Sequence, residues 1–154
     1  MPSQADNFAT PRVAAGALFV KGDQVLLVRK TYGERWDIPG GYVDRGESPA
    51  QACRRELREE LGLDREVGRL LAMDWAPRDG EGDKILVVFD GGALGDAEGS
   101  IKLDHEEIDA WDWAPVDNLG SYLNERLTPR LACAYDAHRT GTMLNLERGV
   151  ATTP

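Results

Sequence analysis

The stretch Gly41–Leu63, GYVDRGESPAQACRRELREELGL, decides how the rest of the chain is read. Gly40-Gly41 closes one element tightly, and Gly46-Glu47-Ser48-Pro49 opens a helix, with Ser48 at the N-cap and Pro49 at the first helical position. Arg55 to Glu60 are strong helix formers throughout, and Gly62 supplies the left-handed residue that ends the helix near Leu61. At ~100° per residue, Glu56, Glu59 and Glu60 share one face, and Ala50, Cys53, Leu57 and Leu61 form the adjoining apolar stripe. The carboxylates are therefore expected at the edge of that stripe, beside the sheet it covers. Stacking like charges costs about 0.2–0.5 kcal/mol per i,i+4 pair. A solvated helix with Arg54, Arg55 and Arg58 as counterions would tolerate this. It would not account for the front half, which turns Glu47 back towards the same face. Four converging carboxylates form a hard-oxygen cage suited to Mg²⁺ or Mn²⁺.

At these offsets the stretch resembles the signature box of the Nudix hydrolases. Gly41, Glu47, Arg55-Glu56-Leu57, Glu59-Glu60 and Gly62-Leu63 match it at every defined position. The resemblance implies an α/β (α+β) layered sandwich, the Nudix fold, with a mixed central sheet flanked by helices. It implies Glu56, Glu59 and Glu60 as metal ligands, helped by the backbone carbonyl of Gly40, with Mg²⁺ or Mn²⁺ as the cofactor. A Glu47–Arg55 salt bridge would brace the loop and align Glu56, since an arginine fork matches a carboxylate in geometry. The general base is Glu56 or Glu59 within the box, or else Glu106 or Glu107 just before a strand at Ile108, with Trp111 and Trp113 following. Arg29, at the end of the second strand, is the candidate phosphate contact, with Lys30 and Arg35 near it. Trp75 is a candidate for stacking on a base or ribose, as are Tyr32, Phe19 and Trp36; Trp36 and Trp111 read better as core.

The implied activity is metal-dependent hydrolysis of the pyrophosphate linkage of a nucleoside diphosphate derivative. ADP-ribose or another nucleotide sugar stands ahead of nucleoside triphosphates, because Pro77, fifteen residues past Gly62, resembles the downstream proline of ADP-ribose cleavers. The alternative is a non-catalytic Nudix-type sensor of nucleotide metabolites. Such modules usually lose box carboxylates, and this chain keeps them all. An isomerase on the same fold would need a catalytic cysteine outside the box, and Cys53 lies inside it on the apolar face.

Composition bounds the rest. A chain of 154 residues with 42% hydrophobic and 29% charged residues fits one globular domain. A net charge of −9 argues against duplex nucleic acid or an anionic membrane as partner. It also means that a polyphosphate needs a local cationic screen. Two cysteines, Cys53 and Cys133, make no disulfide framework, and no apolar run approaches a membrane span. A cytoplasmic protein is expected. Many relatives dimerise, so a homodimer is open, but no isolated apolar stripe commits to it.

Along the chain, residues 1–11 read as a flexible N-terminal tail, 12–149 as the domain and 150–154 as a C-terminal tail. Val13–Val20 and Gln24–Lys30 read as a strand hairpin around Lys21-Gly22-Asp23, with Gly16 at a close approach. Further strands are expected at Tyr42-Val43, Arg65–Trp75, Lys84–Asp90, Ile108–Trp113 and Thr142–Leu146. Helices are expected at Pro115–Leu119 and Pro129–His138, and a mobile loop at Gly91–Gly99.

Overall fold

A computed structural model describes residues 4–33 and 35–152 of the chain. Its strands are β1 (Arg12–Lys21), β2 (Gln24–Lys30), β3 (Arg35–Asp37), β4 (Gly40–Tyr42), β5 (Leu70–Trp75), β6 (Lys84–Gly92), β7 (Ile108–Pro115), β8 (Leu144–Glu147) and β9 (Val150–Ala151). Two α-helices, α1 (Pro49–Leu61) and α2 (Leu127–Thr140), join three short 3-10 turns. The sheet is mixed. β1 runs parallel to β6 and antiparallel to β4, and its last residues, Val20 and Lys21, turn into β2. β2 then pairs with β3 and β7, while β5 bridges β6 and β8.

β1 and β2 are continuous apolar runs because both of their faces are covered. Side chains alternate between two cores. Leu18, Val25 and Leu27 pack under α2 with Leu71, Val88, Leu131, Ala134 and Leu146. Ala17, Phe19, Leu26 and Val28 pack under α1 with Cys53, Leu57, Leu61 and Ile108. Each fully buried leucine contributes about 1.5–3 kcal/mol, so Leu57 and Leu61 alone fix α1 against the sheet. The expected layered sandwich is the one observed.

α1 is bounded by local chemistry. Ser48 Oγ accepts from the Gln51 N–H (3.1 Å) and Gln51 Oε1 accepts from the Ser48 N–H (2.8 Å), a reciprocal capping box. Gly62 (φ 68°) ends the helix, with the Leu63 N–H returning to the Leu57 carbonyl. A Cβ on Gly16 would meet Ile38 Cδ1 at 2.6 Å, so β1 approaches β4 closely there.

Four expectations change in detail. Ala50 is exposed and Ala52 takes its place in the apolar stripe. The strand expected from Arg65 begins only at Leu70. Gly91 and Gly92 finish β6, and Gly95–Ser100 forms a 3-10 turn tied down by Glu98, which accepts from Trp113 Nε1 and pairs with Lys21 at 3.4 Å. Finally, Val150 and Ala151, read as the start of a tail, pair with Glu147 and Leu146. Residues 1–3 and 153–154 of the expected tails lie outside the described residues, and Gln4–Asn7 forms a 3-10 turn. Among the described residues no helix is long and apolar enough to cross a membrane.

Candidate active site

Glu60 is the most enclosed acid of the box. It is 1% exposed, so it lies within the buried stripe rather than at its edge. Burying a carboxylate requires partners. Glu60 Oε2 accepts from the Gly40 N–H (3.2 Å), and Glu60 Oε1 pairs with Lys30 Nζ (3.0 Å). Lys30 Nζ also donates to the Gly40 carbonyl at 3.4 Å. An ammonium thus sits between two oxygens that the sequence nominates as metal ligands. Burial drives the Glu60 carboxyl upward, while Lys30 opposes that rise. Burial would lower Lys30, but the charge and hydrogen bond of Glu60, with the charges of Asp37 and Tyr32, together more than offset it and Lys30 ends raised. The raised Lys30 ammonium stays charged, while Glu60 beside it ends raised because its burial outweighs the pull of Lys30.

Glu56 lies one turn earlier. Arg55 Nη1 donates to Glu56 Oε1 at 3.1 Å, and burial raises the Glu56 carboxyl against the pull of Arg55. Arg55 also grips Glu47 through Nη2 (2.6 Å) and Nε (3.1 Å), forming a two-bond fork. The Glu47 carboxyl is lowered by that hydrogen bond first, and by the Asp44 N–H next. Gly41 faces Glu56 so closely that a Cβ there would lie 2.5 Å from Glu56 Oε1.

Glu56, Glu60 and Glu107 bring one carboxylate oxygen each within 4.8 Å of one another. Glu59, expected among the ligands, stands outside this group: its half-exposed carboxylate pairs with Arg55 Nη1 at 3.3 Å. Glu56 and Glu60, four residues apart, face inward, and Glu59 is rotated out of that line. Glu107 enters from the loop before β7. Asp104 Oδ1 accepts from the N–H groups of Glu106, Glu107 and Ile108, each at 3.2 Å, and so shapes that loop. Thr31 pins it to the end of β2 through the Glu106 and Glu107 carbonyls (2.7 and 2.8 Å). Sequence reasoning passed over Asp104 and Thr31; an Asp two to four residues before backbone N–H groups is a turn signal that was there to read.

A cavity of about 790 Å³ opens beside the box and is lined by Lys30, Gly40, Gly41 and Arg35. Arg29 and Trp75 do not line it. Arg29 alternates with Lys30 along β2 and therefore points to the other face, where it pairs with Asp109 at 3.3 Å. Asp74 points to Arg130 on α2, so Trp75, the next residue of β5, faces away. Trp36 packs edge-on against Tyr122 in the core, and the rings at the cavity are Tyr32 and Tyr42.

Comparison with known proteins gives the family. The NUDIX domain family model matches residues 10–137. An RNA pyrophosphohydrolase of Gluconobacter oxydans is 31% identical over 146 residues, covering 79% of this chain and 85% of that protein. An ADP-ribose pyrophosphatase of Mycobacterium tuberculosis is 38% identical over 96 residues, covering 60% of this chain and 45% of that protein. The match spans less than half the length of three curated relatives named for ADP-ribose, from 32% to 49%. The crystal structure of a MutT Nudix hydrolase from Burkholderia pseudomallei superposes with a TM-score of 0.65 at 25% identity, covering 81% of this chain and 97% of that one. The fold and site define a hydrolase acting on pyrophosphate bonds. The chain belongs to the Nudix family.

Proposed function

We propose that this chain cleaves the pyrophosphate linkage of a nucleoside diphosphate derivative with the help of a divalent ion, ADP-ribose or another nucleotide sugar standing ahead of nucleoside triphosphates. The observation that carries the reading is the convergence of Glu56, Glu60 and Glu107, held next to Lys30 and Gly40, which line a cation-rich cavity. The donor set fits Mg²⁺ or Mn²⁺: it is all oxygen, it is anionic, and Lys30 already holds a positive charge between Glu60 and the Gly40 carbonyl. Glu56, Glu60 and the Gly40 carbonyl would hold the ion, with Glu59 at the rim. Bound there, the ion supplies charge neutralisation on the phosphate oxygens and a lowered pKa for water.

The chain's own residues do the rest. Arg55 fixes the Glu56 carboxylate, and Glu47 fixes Arg55. The Gly40 N–H orients Glu60. Among the described residues the Glu107 carboxylate has no hydrogen-bond donor, so it is the acid free to take a proton from the attacking water. Glu59, engaged by Arg55, is the second candidate base. Arg35, on the cavity wall, faces the bound anion.

The test is product chromatography on a panel of nucleoside diphosphate derivatives with Mg²⁺, with Mn²⁺ and with chelator. Glu56→Gln is expected to lose turnover by at least ~10²–10³-fold while melting like the wild type. Wild-type-like turnover by that variant would exclude Glu56 as ligand or base. A second reading, the 5′-triphosphate end of an RNA, is favoured by the Gluconobacter oxydans relative and enters the panel as a short 5′-triphosphorylated oligonucleotide.

A further inference from the structure

Glu107 is the one member of the acid group that comes from outside α1, and the segment that brings it, residues 101–107, is anchored at both ends. At its start the Lys102 N–H donates to the Leu61 carbonyl at 2.8 Å. Leu61 directly follows Glu60, so the segment sets out from the helix that carries the other two carboxylates. Ile101 and Leu103 pack into the core under α1, and Ile108, just past Glu107, is fully buried. At its far end Thr31 Oγ1 donates to the Glu106 carbonyl and the Thr31 N–H to the Glu107 carbonyl, at 2.7 and 2.8 Å. Thr31 directly follows Lys30, which pairs with Glu60 at 3.0 Å. Two consecutive residues, at and just past the end of β2, thus hold the Glu60 carboxylate and the Glu107 backbone.

Three features between these anchors set the direction in which Glu107 points. Asp104 Oδ1 gathers the N–H groups of Glu106, Glu107 and Ile108. His105, inside that turn, takes φ 62°, a left-handed conformation that a residue with a Cβ keeps only where its surroundings impose it. β7 then carries one extra residue: Arg29 lies opposite Ala110 and Lys30 opposite Ile108, which leaves Asp109 bulged between them. Arg29 grips that residue at 3.3 Å. A bulge beside an active site re-aims the side chains next to it. Asp104, His105, Glu106 and Glu107 are all exposed, so burial of apolar surface gives no reason for so many ties.

We infer that Thr31 and Asp104 are positioning residues of the reaction: they hold Glu107 at its place beside Glu56 and Glu60 in advance, so that substrate need not recruit it. The inference rests on the reading of Glu107 as proton acceptor and deepens it. A group fixed beforehand spares the reaction the ordering of its loop, and that gain falls on rate rather than on affinity. Asparagine can stand in for Asp104, because a single oxygen takes all three N–H groups, and serine can stand in for Thr31 as the hydroxyl donor.

The experiment measures kcat and KM separately on the best substrate of the panel, with Mn²⁺ binding followed by electron paramagnetic resonance and a thermal melt for each variant. Asp104→Ala and Thr31→Val should each lower kcat by about 10- to 10²-fold, the scale of a reacting group displaced by up to about 1 Å, with KM and Mn²⁺ affinity within about twofold of wild type. Asp104→Asn and Thr31→Ser should recover most of that loss. In a Glu107→Gln background Asp104→Ala should lower kcat no further, because it acts only through Glu107. An equal loss of kcat in both backgrounds, a loss carried by KM or by weaker Mn²⁺ binding, or no rescue by asparagine and serine overturns the inference and leaves Glu107 as proton acceptor. Wild-type kcat in both Asp104→Ala and Thr31→Val overturns it as well. Wild-type turnover by Glu107→Gln would instead remove Glu107 from the reaction, and the inference with it. No metal-dependent turnover by the wild type would sink the hydrolase reading itself.

Discussion

Gly41→Ala tests how tightly the box must hold Glu56. A methyl group at Gly41 would lie 2.5 Å from Glu56 Oε1 and 2.7 Å from its Cδ. Ordinary van der Waals contact begins at 3.4 Å, so the carboxylate must retreat by about 1 Å. The atoms it meets are the end of a flexible side chain, and the backbone need not move. The stability cost should stay within about 1 kcal/mol. The catalytic cost should not, because a 1 Å misplacement of a reacting group is worth about 10²-fold in rate. The assay is kcat on the best substrate of the panel at saturating Mg²⁺, alongside a thermal melt. Gly40→Ala is the contrasting control: its methyl would lie 2.2 Å from the Ala15 carbonyl oxygen, on a backbone with φ 152°, and the strand pair has no way to yield. It should lose stability and activity together. Wild-type kcat for Gly41→Ala would refute the claim that the position of Glu56 limits the reaction.

Asp74 accepts from Arg130 Nε (2.6 Å) and from the Gly149 N–H (3.1 Å) and is 1% exposed, so Asp74→Ala strands a buried guanidinium and should cost about 3–5 kcal/mol in urea unfolding. A loss below about 1 kcal/mol would contradict this. Glu98 is held below the usual carboxylate range by the Trp113 indole N–H first and Lys21 next. Its contribution to stability is therefore complete above about pH 4.3 and is lost as pH falls through the depressed value. The melting-temperature gap between wild type and Glu98→Gln should hold from pH 7 to about 5 and close below about 4; a gap that stays constant into acid would be evidence against the contact.

The sequence carried the fold where chemistry is local. The capping box at Ser48 and the left-handed Gly62 bound α1 without help from the rest of the chain, and the two-sided burial of β1 and β2 shows in their unbroken apolar runs. What it could not carry depends on contacts distant in sequence. Glu56 and Glu60 lie on a helix whose period is fixed, but Glu107, more than 40 residues past Leu63, reaches them only through the Asp104 turn and Thr31, which lies ahead of the box. Lys30 stands behind Arg29 as a cation when the sequence is read alone, and strand alternation reverses that order. The same alternation removed Trp75 from the cavity, and no local pattern reveals which face of β5 turns towards α2. Arg126 and Arg148, which line the cavity from just ahead of α2 and from the β8–β9 turn, sit in segments with no motif at all.

The wall and the grip have separate origins. In the proposed reading the grip on a diphosphate would come from the box and one loop, whereas other parts of the cavity are lined from a β5–β6 turn, the approach to α2 and the β8–β9 turn. Inheritance can therefore hold the first constant while turns elsewhere drift, each changing what is admitted without disturbing how it is cut. A designer has the same freedom: exchanging those three turns between relatives should transplant appetite while leaving the cutting edge as it was.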